Sequence, residues 1–367
     1  MHILMTADTV GGVWIYAREL VSGLIKRGHR VTLISLGKIP NAAQVRWMKD
    51  LPRLDFRPTT FQLEWMQDSQ REIAASTEYL KKLVTEVQPD VLHLNQYCYG
   101  ALNSEVPRVV VAHSDVVSWW TAVNNTALPE SEWLSWYRHA VAEGLLAADI
   151  VVAPSRWMMQ AVCTHYGQPA RRQVIYNGRT SNFFDPHRKK TNCVLTVGRI
   201  WDDAKQAMLL LQRQQTVPVC LVGQQRHPDQ KLAGTREVPD GNDIDFRGEQ
   251  TEDELRDLYA ESSTYAATSR YEPFGLAPVE AALSGCALAV NDIPVFHELW
   301  DDNAFYFRRN DPDALASVID EFSRDEKLRS DYADRALKHA REKFDSARMI
   351  SEYEQLYDTL LQSGAQA

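Results

Sequence analysis

Two glutamates, Glu272 and Glu280, lie in a segment that could carry chemistry, residues 269–285, SRYEPFGLAPVEAALSG. Its prolines and Gly275 predict a loop that ends, and a helix that begins, around Leu276, because proline is tolerated in a first helical turn. The unpaired N–H groups of that turn would form an anion site suited to a phosphate.

Glu280 falls on the apolar side of the predicted helix, together with Leu276, Val279 and Leu283. A carboxylate in that position needs a partner. Either a neighbouring arginine or backbone group satisfies it, or it grips the two hydroxyls of a ribose. The residues alone leave both interpretations open.

Short apolar runs alternate with longer amphipathic segments in the first half of the chain. The predicted strands are His2–Thr6, Arg30–Ser35, Val91–Leu94, Val109–Ala112, Ile150–Ala153 and Gln173–Tyr176. The predicted helices are about Gly12–Arg27, Ser69–Val87, Ser131–Ala147 and Ser155–His165. This alternation predicts a parallel sheet covered by helices on both sides.

A polar, aperiodic stretch over residues 177–192 suits an interdomain linker. The alternation then restarts, with helices predicted near Ala204–Gln214, at Glu252–Ala260, at Leu276–Ser284 and from about Asp311, and strands at Cys193–Val197, Val217–Val222, Ile244–Phe246, Tyr265–Ala267 and Ala287–Val290. We therefore expect an α/β protein with two doubly wound domains, residues 1–180 and 190–345, whose strand ends face a cleft.

The composition excludes several classes of protein. The 367 residues, 44% hydrophobic and 24% charged, suit two or three globular domains. No run of about 18 apolar residues or signal peptide is seen, and the five scattered cysteines resemble reduced thiols, so we expect a cytoplasmic protein. Residues 1–180 carry a net charge of +2 and the remainder −11, which argues against a nucleic-acid partner.

Common cofactor and metal motifs give no strong signal. The first strand-to-helix turn lacks GxGxxG, and HExxH, GxSxG and zinc-like Cys/His spacings are absent. Asp243-Ile-Asp245 and Asp311-Pro-Asp313 match the short DxD pattern that binds metal in some sugar transferases. We expect these to be solvated loop or strand-edge aspartates, because such triplets arise easily among 49 acidic residues.

The segment around the two glutamates resembles the E-x7-E element of retaining glycosyltransferases of the family 4 type. The resemblance covers nearly the whole chain. The first matching segments are Gly11-Gly12 and the helix end 26–31. The others are 152–155 (VAPS), 174–178 (VIYNG), 197–205 (VGRIWDDAK), 221–223 (LVG), 246–248 (FRG) and 344–357. It implies the GT-B fold, which has two Rossmann-like domains around a cleft, with a C-terminal helix, about 346–367, crossing back to the N-terminal domain.

The resemblance also implies roles in binding a nucleotide-sugar donor. Arg199 and Lys205 match the basic pair that binds the donor diphosphate and stabilises it as it leaves, so no metal is required. Glu280 would hold the ribose. Glu272, with the backbone of Phe274, Gly275 and Leu276, would contact the donor sugar and diphosphate.

In the first half of the chain the resemblance implies three further site residues. Gly11 and Gly12 would let backbone amides approach the phosphates or the acceptor; the alternative is an ordinary glycine turn. His113 matches a strand-end histidine beside the reacting sugar; the alternative is a hydrogen-bonded structural histidine.

Two segments depart from the family pattern. Asn177-Gly178 is followed by Arg179-Thr180, where the family often has Val-Asp. The basic motif has one residue more than the common G-R-x4-K, and Gln206 stands where Gly or Asn is usual.

These observations predict a retaining glycosyltransferase that moves a sugar from a UDP- or GDP-sugar to a hydroxyl of a saccharide or lipid-linked saccharide, giving an α-linkage. The implied mechanism is front-face attack, in which the departing diphosphate helps to accept the acceptor proton. We expect no cofactor, no metal and at most weak peripheral contact with the inner face of a membrane. The alternatives are a disaccharide phosphorylase of the same fold and a non-enzymatic two-lobed sugar-binding protein, which would need a signal peptide.

Overall fold

The computed structural model describes residues 1–226 and 244–364. The chain divides into two compact units. Unit 1 contains Met1–Thr121, Thr126–Gly178 and the C-terminal segment from Ser346; unit 2 contains Arg179–Asp345 and Ala122–Asn125.

Unit 1 is built on a seven-stranded parallel sheet. Its strands are β1 (His2–Asp8), β2 (Arg30–Leu36), β3 (Leu54–Pro58), β4 (Val91–Leu94), β5 (Arg108–Val111), β6 (Ile150–Ala153) and β7 (Arg172–Val174). The helices of this part of the chain are α1 (Gly12–Lys26), α2 (Ala42–Val45), α3 (Gln70–Val87), α4 (Val116–Asn124), α5 (Glu132–Ala147), α6 (Arg156–Tyr166) and, at the C-terminus, α12 (Ser346–Gly364). The strand order is β3-β2-β1-β4-β5-β6-β7.

Helix α12 belongs to unit 1 and packs against α1. The buried face of α1 carries Tyr16, Leu20 and Leu24 in one apolar core with residues of α12. A β-carbon at Gly23 of α1 would lie 2.0 Å from the Ile350 side chain. A side chain at position 23 would therefore force the Ile350 side chain to move.

Unit 2 is built on a six-stranded parallel sheet. Its strands are β8 (Thr191–Val197), β9 (Val219–Val222), β10 (Ile244–Gly248), β11 (Ser262–Ala267), β12 (Ala287–Asn291) and β13 (Phe305–Phe307). Its helices are α7 (Glu252–Glu261), α8 (Leu276–Leu283), α9 (Pro294–Trp300), α10 (Pro312–Arg324) and α11 (Glu326–Lys343). The strand order is β10-β9-β8-β11-β12-β13.

The same reversal of strand order occurs in both sheets. In unit 1 the chain passes from one side of β1 to the other between β3 and β4, and in unit 2 it passes from one side of β8 to the other between β10 and β11. Ligands of doubly wound sheets bind at such a switch point, outside the carboxyl ends of the strands. The switch points therefore lie between β1 and β4 and between β8 and β11.

The predicted α/β class with two parallel sheets is confirmed, but some elements differ from the prediction. Edge strand β3 was missed: its short sequence alternates charged Asp55 and Arg57, which form an ion pair of 2.9 Å, with apolar residues. The helix predicted near Ala204–Gln214 is wrong, because only a 3₁₀ turn, Ala207–Leu211, forms there. Gln206 precedes that turn with a left-handed φ of 50°, a conformation that an α-helix cannot include. Helices α4 and α9 and strand β13 were also missed.

Candidate active site

Two of the four charged residues expected to bind a donor, Lys205 and Glu272, lie together at the switch point of the unit 2 sheet. Strand β8 ends at Val197 and is followed by the loop to Lys205; β11 ends at Ala267 and is followed by the loop that holds Glu272. Because β8 and β11 are neighbours, both loops leave the sheet at the same edge. They line a cavity whose walls include Gly198, Lys205, Ser269, Glu272, Gly275 and Leu276.

Lys205 and Glu272 form an ion pair in this cavity. The Lys205 Nζ donates to Glu272 Oε2 over 2.5 Å, and the Ser269 hydroxyl donates to the same oxygen over 3.0 Å. The Glu272 residue is 8% exposed, whereas a quarter of the Lys205 side chain is accessible. An entering anion would therefore compete with Glu272 for the accessible ammonium group.

Arg199 lies outside this cavity lining. Its Nη2 is 2.7 Å from Oδ2 of the buried Asp202, and its guanidinium lies over the ring of Trp201 at 5.3 Å. Its side chain is exposed, and Arg199 does not belong to the described residues that line the cavity. The structure thus brings only one member of the predicted basic pair, Lys205, to the cavity.

Helix α8 begins at Leu276, as predicted, and its first turn opens on the cavity. Gly275 precedes it with φ 89°, and a β-carbon there would lie 3.1 Å from the Glu272 side chain. Glycine therefore lets the helix start close to the carboxylate. The ring of Phe274 is buried against Phe344 with 5.3 Å between centroids, so only its backbone remains for the predicted ligand contact.

Glu280 has an arginine partner, which was one of the two interpretations of the sequence. Its Oε1 lies 2.9 Å from Nε of Arg179, and Arg179 Nη2 donates to Glu252 Oε1 over 3.0 Å. Arg179 is 2% exposed and Glu280 7% exposed. The buried Glu280 carboxylate thus has the partner that it needs in Arg179, a residue that departs from the family pattern. The ribose role of Glu280 stays a prediction.

Gln206 adopts the left-handed conformation that explains why glycine or asparagine suits this position. Its φ is 50°, which costs a side-chain-bearing residue about 1 kcal/mol or more. With its amide nitrogen turned toward the acceptors, it donates to Thr268 O over 3.2 Å and to Asn310 Oδ1 over 2.8 Å, and its oxygen accepts from Arg270. These hydrogen bonds hold Gln206, the residue that follows Lys205 in the sequence, in its strained backbone conformation.

Gly11 and Gly12 follow β1 at the switch point of unit 1. Gly12 is the first residue of α1, and Gly11 precedes it with φ 91°. No described atom lies within 4 Å of a β-carbon placed at Gly11, so the backbone conformation, and not crowding, favours glycine there. The contact with phosphates or acceptor remains a prediction.

His113 lies at the carboxyl end of β5 and is held by Asn95, at the end of β4. Its Nε2 is 2.7 Å from Asn95 Oδ1, and Asn95 Nδ2 donates to Thr6 O over 2.6 Å. The amide orientation places the proton on His113 Nε2 and makes Nδ1 the acceptor nitrogen. Burial lowers the pKa of His113 to about 3, so the ring is neutral at neutral pH.

Three residues that take part in these arrangements were not singled out as site residues from the sequence. Asn95 directly follows a correctly predicted strand, so its place at a sheet's carboxyl edge could have identified it. Ser269 lies within the glutamate segment, but nothing in its spacing points to Glu272. Arg179 was visible only as a departure from the family pattern.

The DxD triplets show no metal arrangement in the described residues. Asp243 lies outside them. Asp311 caps α10 by accepting from the N–H groups of Asp313 and Ala314, and Asp313 pairs with Arg213. Within residues 1–226 and 244–364, no three His, Cys, Asp or Glu side chains are grouped as metal ligands, and no helix there is both long and apolar enough to span a membrane.

The chain is similar in sequence to known glycosyltransferases. The chain matches the model of Glycosyltransferase Family 4 over residues 10–181 and that of Glycosyl transferases group 1 over residues 179–339. It is 22% identical to an uncharacterized glycosyltransferase of Methanocaldococcus jannaschii, over 91% of each chain. It is 29% identical to the O-antigen chain mannosyltransferase RfbU of Salmonella typhimurium, over 40% of this chain and 42% of the relative.

Solved structures share the fold at low sequence identity. Sucrose-phosphate synthase from Thermosynechococcus elongatus superposes with a TM-score of 0.78 and 17% identity, over 99% of this chain and 100% of the other. HepE of Anabaena, solved in complex with UDP, superposes with a TM-score of 0.74 and 18% identity, over 98% of this chain and 100% of the other. With two family models spanning most of its length and this fold, the chain belongs to the family 4 glycosyltransferases, which have the GT-B fold.

Proposed function

We propose that this glycosyltransferase takes a sugar from a nucleotide-diphosphate sugar and transfers it, with retention, to an acceptor hydroxyl. The observation that carries the proposal is the cavity at the β8/β11 switch point, where Lys205 Nζ, the first turn of α8 and Glu272 meet. An ammonium group and free helical N–H groups stabilise a diphosphate, and a carboxylate accepts hydrogen bonds from sugar hydroxyls. UDP in the HepE complexes supports a nucleotide donor of this kind.

In the proposed reaction the bond between the anomeric carbon and the diphosphate oxygen breaks, and a bond to the acceptor oxygen forms on the same face. The acceptor proton passes to the departing diphosphate, so no protein nucleophile is needed. Lys205 exchanges Glu272 for the diphosphate and stabilises the charge that grows there. Neutral His113 would act as a hydrogen-bonding group toward the sugar and not as an acid.

We propose that the positive field needed at the diphosphate comes from Lys205 and the first turn of α8, joined by Arg199 once its exposed side chain turns from Asp202 to the donor, so that no metal is required. Activity should therefore persist in excess chelator. Loss of activity on chelation, with recovery on adding Mn²⁺ or Mg²⁺, would contradict this part of the proposal.

The acceptor that we propose is a saccharide or lipid-linked saccharide. Relatives named as O-antigen enzymes support this class, since RfbU is called an O-antigen chain mannosyltransferase. The donor that we propose is a UDP- or GDP-linked hexose.

A panel of UDP- and GDP-sugars tests the proposed function. We expect one donor to raise the melting temperature and to release its nucleoside diphosphate, with the rate reduced in a His113→Ala variant whose diphosphate affinity is unchanged. If inorganic phosphate protects the protein and no nucleotide does, the phosphorylase alternative is correct. If a free sugar protects it and no donor turns over, a binding protein is correct.

A further inference from the structure

An exposed tryptophan lies at the carboxyl edge of the unit 1 sheet. Three large apolar side chains are exposed among the described residues: Ile39, Trp65 and Leu146. Ile39 and Trp65 lie in the loops that follow β2 and β3, at the carboxyl edge, whereas Leu146 lies in the last turn of α5, just before β6 and so at the amino edge. Single exposed apolar residues are ordinary, but tryptophan is among the side chains that contribute most to binding.

Buried contacts on both sides hold Trp65 in place. The preceding residue, Glu64, is buried, and its two carboxylate oxygens accept hydrogen bonds from the backbone N–H groups of Tyr97 and Cys98, each over 2.9 Å. On the other side, Trp133 Nε1 donates over 2.9 Å to the backbone oxygen of the residue that follows Trp65. The indole is 42% exposed on this anchored turn, so little conformational entropy is lost when it binds a ligand.

A buried side-chain amide lies next to the same contact. Gln96 is the second residue after β4 and directly precedes Tyr97, whose N–H group Glu64 accepts. Gln96 is 3% exposed, and its Oε1 has no hydrogen-bond partner in the described part of the chain. A buried polar atom of this kind destabilises the fold until a ligand supplies the missing hydrogen bond. The terminal bond of glutamine rotates easily, which lets the amide turn toward such a ligand.

The chemistry of this edge suits a sugar ring. The Glu64 contact ties the loop after β3 to the residues after β4, beside the switch point where doubly wound sheets bind ligands. A pyranose offers an apolar C–H face to an indole and hydroxyls to an amide. Gln67 and Asp68, both exposed, add polar groups for further hydroxyls. A lipid tail would leave the Gln96 amide unpaired, and the Asp68 carboxylate would repel anionic head groups.

We propose that Trp65 and Gln96 form an acceptor subsite, in which the indole stacks on a pyranose ring of the saccharide acceptor and the amide hydrogen-bonds one of its hydroxyls. This inference rests on the proposed function, because it assigns the acceptor of that reaction to the carboxyl edge of the unit 1 sheet. The subsite binds and does not react. Its loss should therefore raise the KM for the acceptor and leave hydrolysis of the donor unchanged.

Binding to immobilised oligosaccharides that contain mannose, glucose or galactose tests the subsite without a donor. The native protein should bind at least one of them, and Trp65→Ala should bind it about tenfold or more weakly. Gln96→Leu should bind it about three- to tenfold more weakly, while its melting temperature should equal or exceed the native value, because leucine removes the unpaired buried amide. Weaker binding without a loss of stability separates a ligand-binding role from a structural one.

Leu146→Ala is the matched control, because it removes an exposed apolar side chain from the amino edge of the same sheet, and it should keep the native affinity. Native affinity in folded Trp65→Ala or Gln96→Leu, or a native protein that binds none of the oligosaccharides, would overturn the inference. Binding to phosphatidylglycerol vesicles that only Trp65→Ala loses, with oligosaccharide binding kept, would show a membrane contact instead. A native protein that binds oligosaccharides through both residues but releases no nucleoside diphosphate from any UDP- or GDP-sugar would overturn the proposed function and leave a saccharide site.

Discussion

Replacement of Lys205 by alanine should separate stabilisation of the leaving group from binding of the donor. The Lys205 ammonium is 2.5 Å from Glu272 Oε2. When a donor binds, that ammonium exchanges one anion, the carboxylate, for another, the diphosphate. The net gain in the ground state is therefore small, whereas the gain grows as the glycosidic bond breaks and charge builds on the diphosphate.

The structure sets the size of three expected effects. Loss of one preorganised contact to developing charge costs roughly 3 kcal/mol, or a fall in kcat of roughly 10²–10³-fold. Donor affinity should fall by less than about tenfold, because binding of the intact donor also requires the Glu272 pair to be given up. The free energy of unfolding should fall by about 1.5–3 kcal/mol, because Glu272 then keeps the Ser269 hydroxyl but no cation.

Single-turnover rates, donor affinity and urea denaturation of the same preparation measure these effects separately. Lys190→Ala is the matched control: Lys190 Nζ donates to the backbone oxygens of Tyr259 and Ser284, over 3.2 and 2.5 Å, and does not line the cavity. It should lose stability and keep the native rate. A Lys205→Ala enzyme with native kcat, or one whose entire loss appears in donor affinity, would refute the reasoning.

Three further changes test other parts of the site and fold. Glu272→Gln should release the Lys205 ammonium and tighten nucleoside diphosphate binding by about three- to tenfold in calorimetry. Unchanged or weaker binding would show that the Glu272 carboxylate and the diphosphate do not compete for Lys205. Gln206→Ala should unfold in urea with about 1 kcal/mol less stability than Gln206→Gly, because both lose the side-chain bonds but only alanine keeps the left-handed strain; equal stabilities would contradict this. Burial lowers the pKa of His93 to about 3, so between pH 6.5 and 3 only the unfolded chain takes up its proton and stability falls with acidification. From pH 6.5 to 5 the loss should be about 1.6 kcal/mol greater in the native protein than in His93→Gln, and identical pH profiles would be the contrary result.

Elements with strong local signals could be predicted from the sequence. Strands β4 and β6 have the predicted bounds because they are buried apolar runs, and α8 begins at Leu276 because Gly275 and the prolines mark its start. Strand β3 could not be found in this way, because a short edge strand with charged residues has little apolar signal. The helix predicted near Ala204–Gln214 has the right apolar spacing but is interrupted by the conformation of Gln206, which no periodicity shows.

The pairing of site residues lies beyond local patterns. Lys205 and Glu272 are 67 residues apart in sequence and meet because β8 and β11 are neighbours in the sheet. The sequence named both residues through the family resemblance but gave no sign that they form an ion pair. Arg179 and Glu280 likewise meet through the tertiary fold, and the sequence could state only that Glu280 needs a partner.

The stereochemistry of the first product tests the central claim most directly. The native protein, supplied with the α-linked UDP- or GDP-sugar that it consumes and with an excess of chelator, should give a product whose anomeric signals in proton NMR are those of an α-glycoside. Formation of a β-linked product, or turnover of a sugar only with inorganic phosphate as the partner, would contradict a retaining, nucleotide-sugar-dependent transfer.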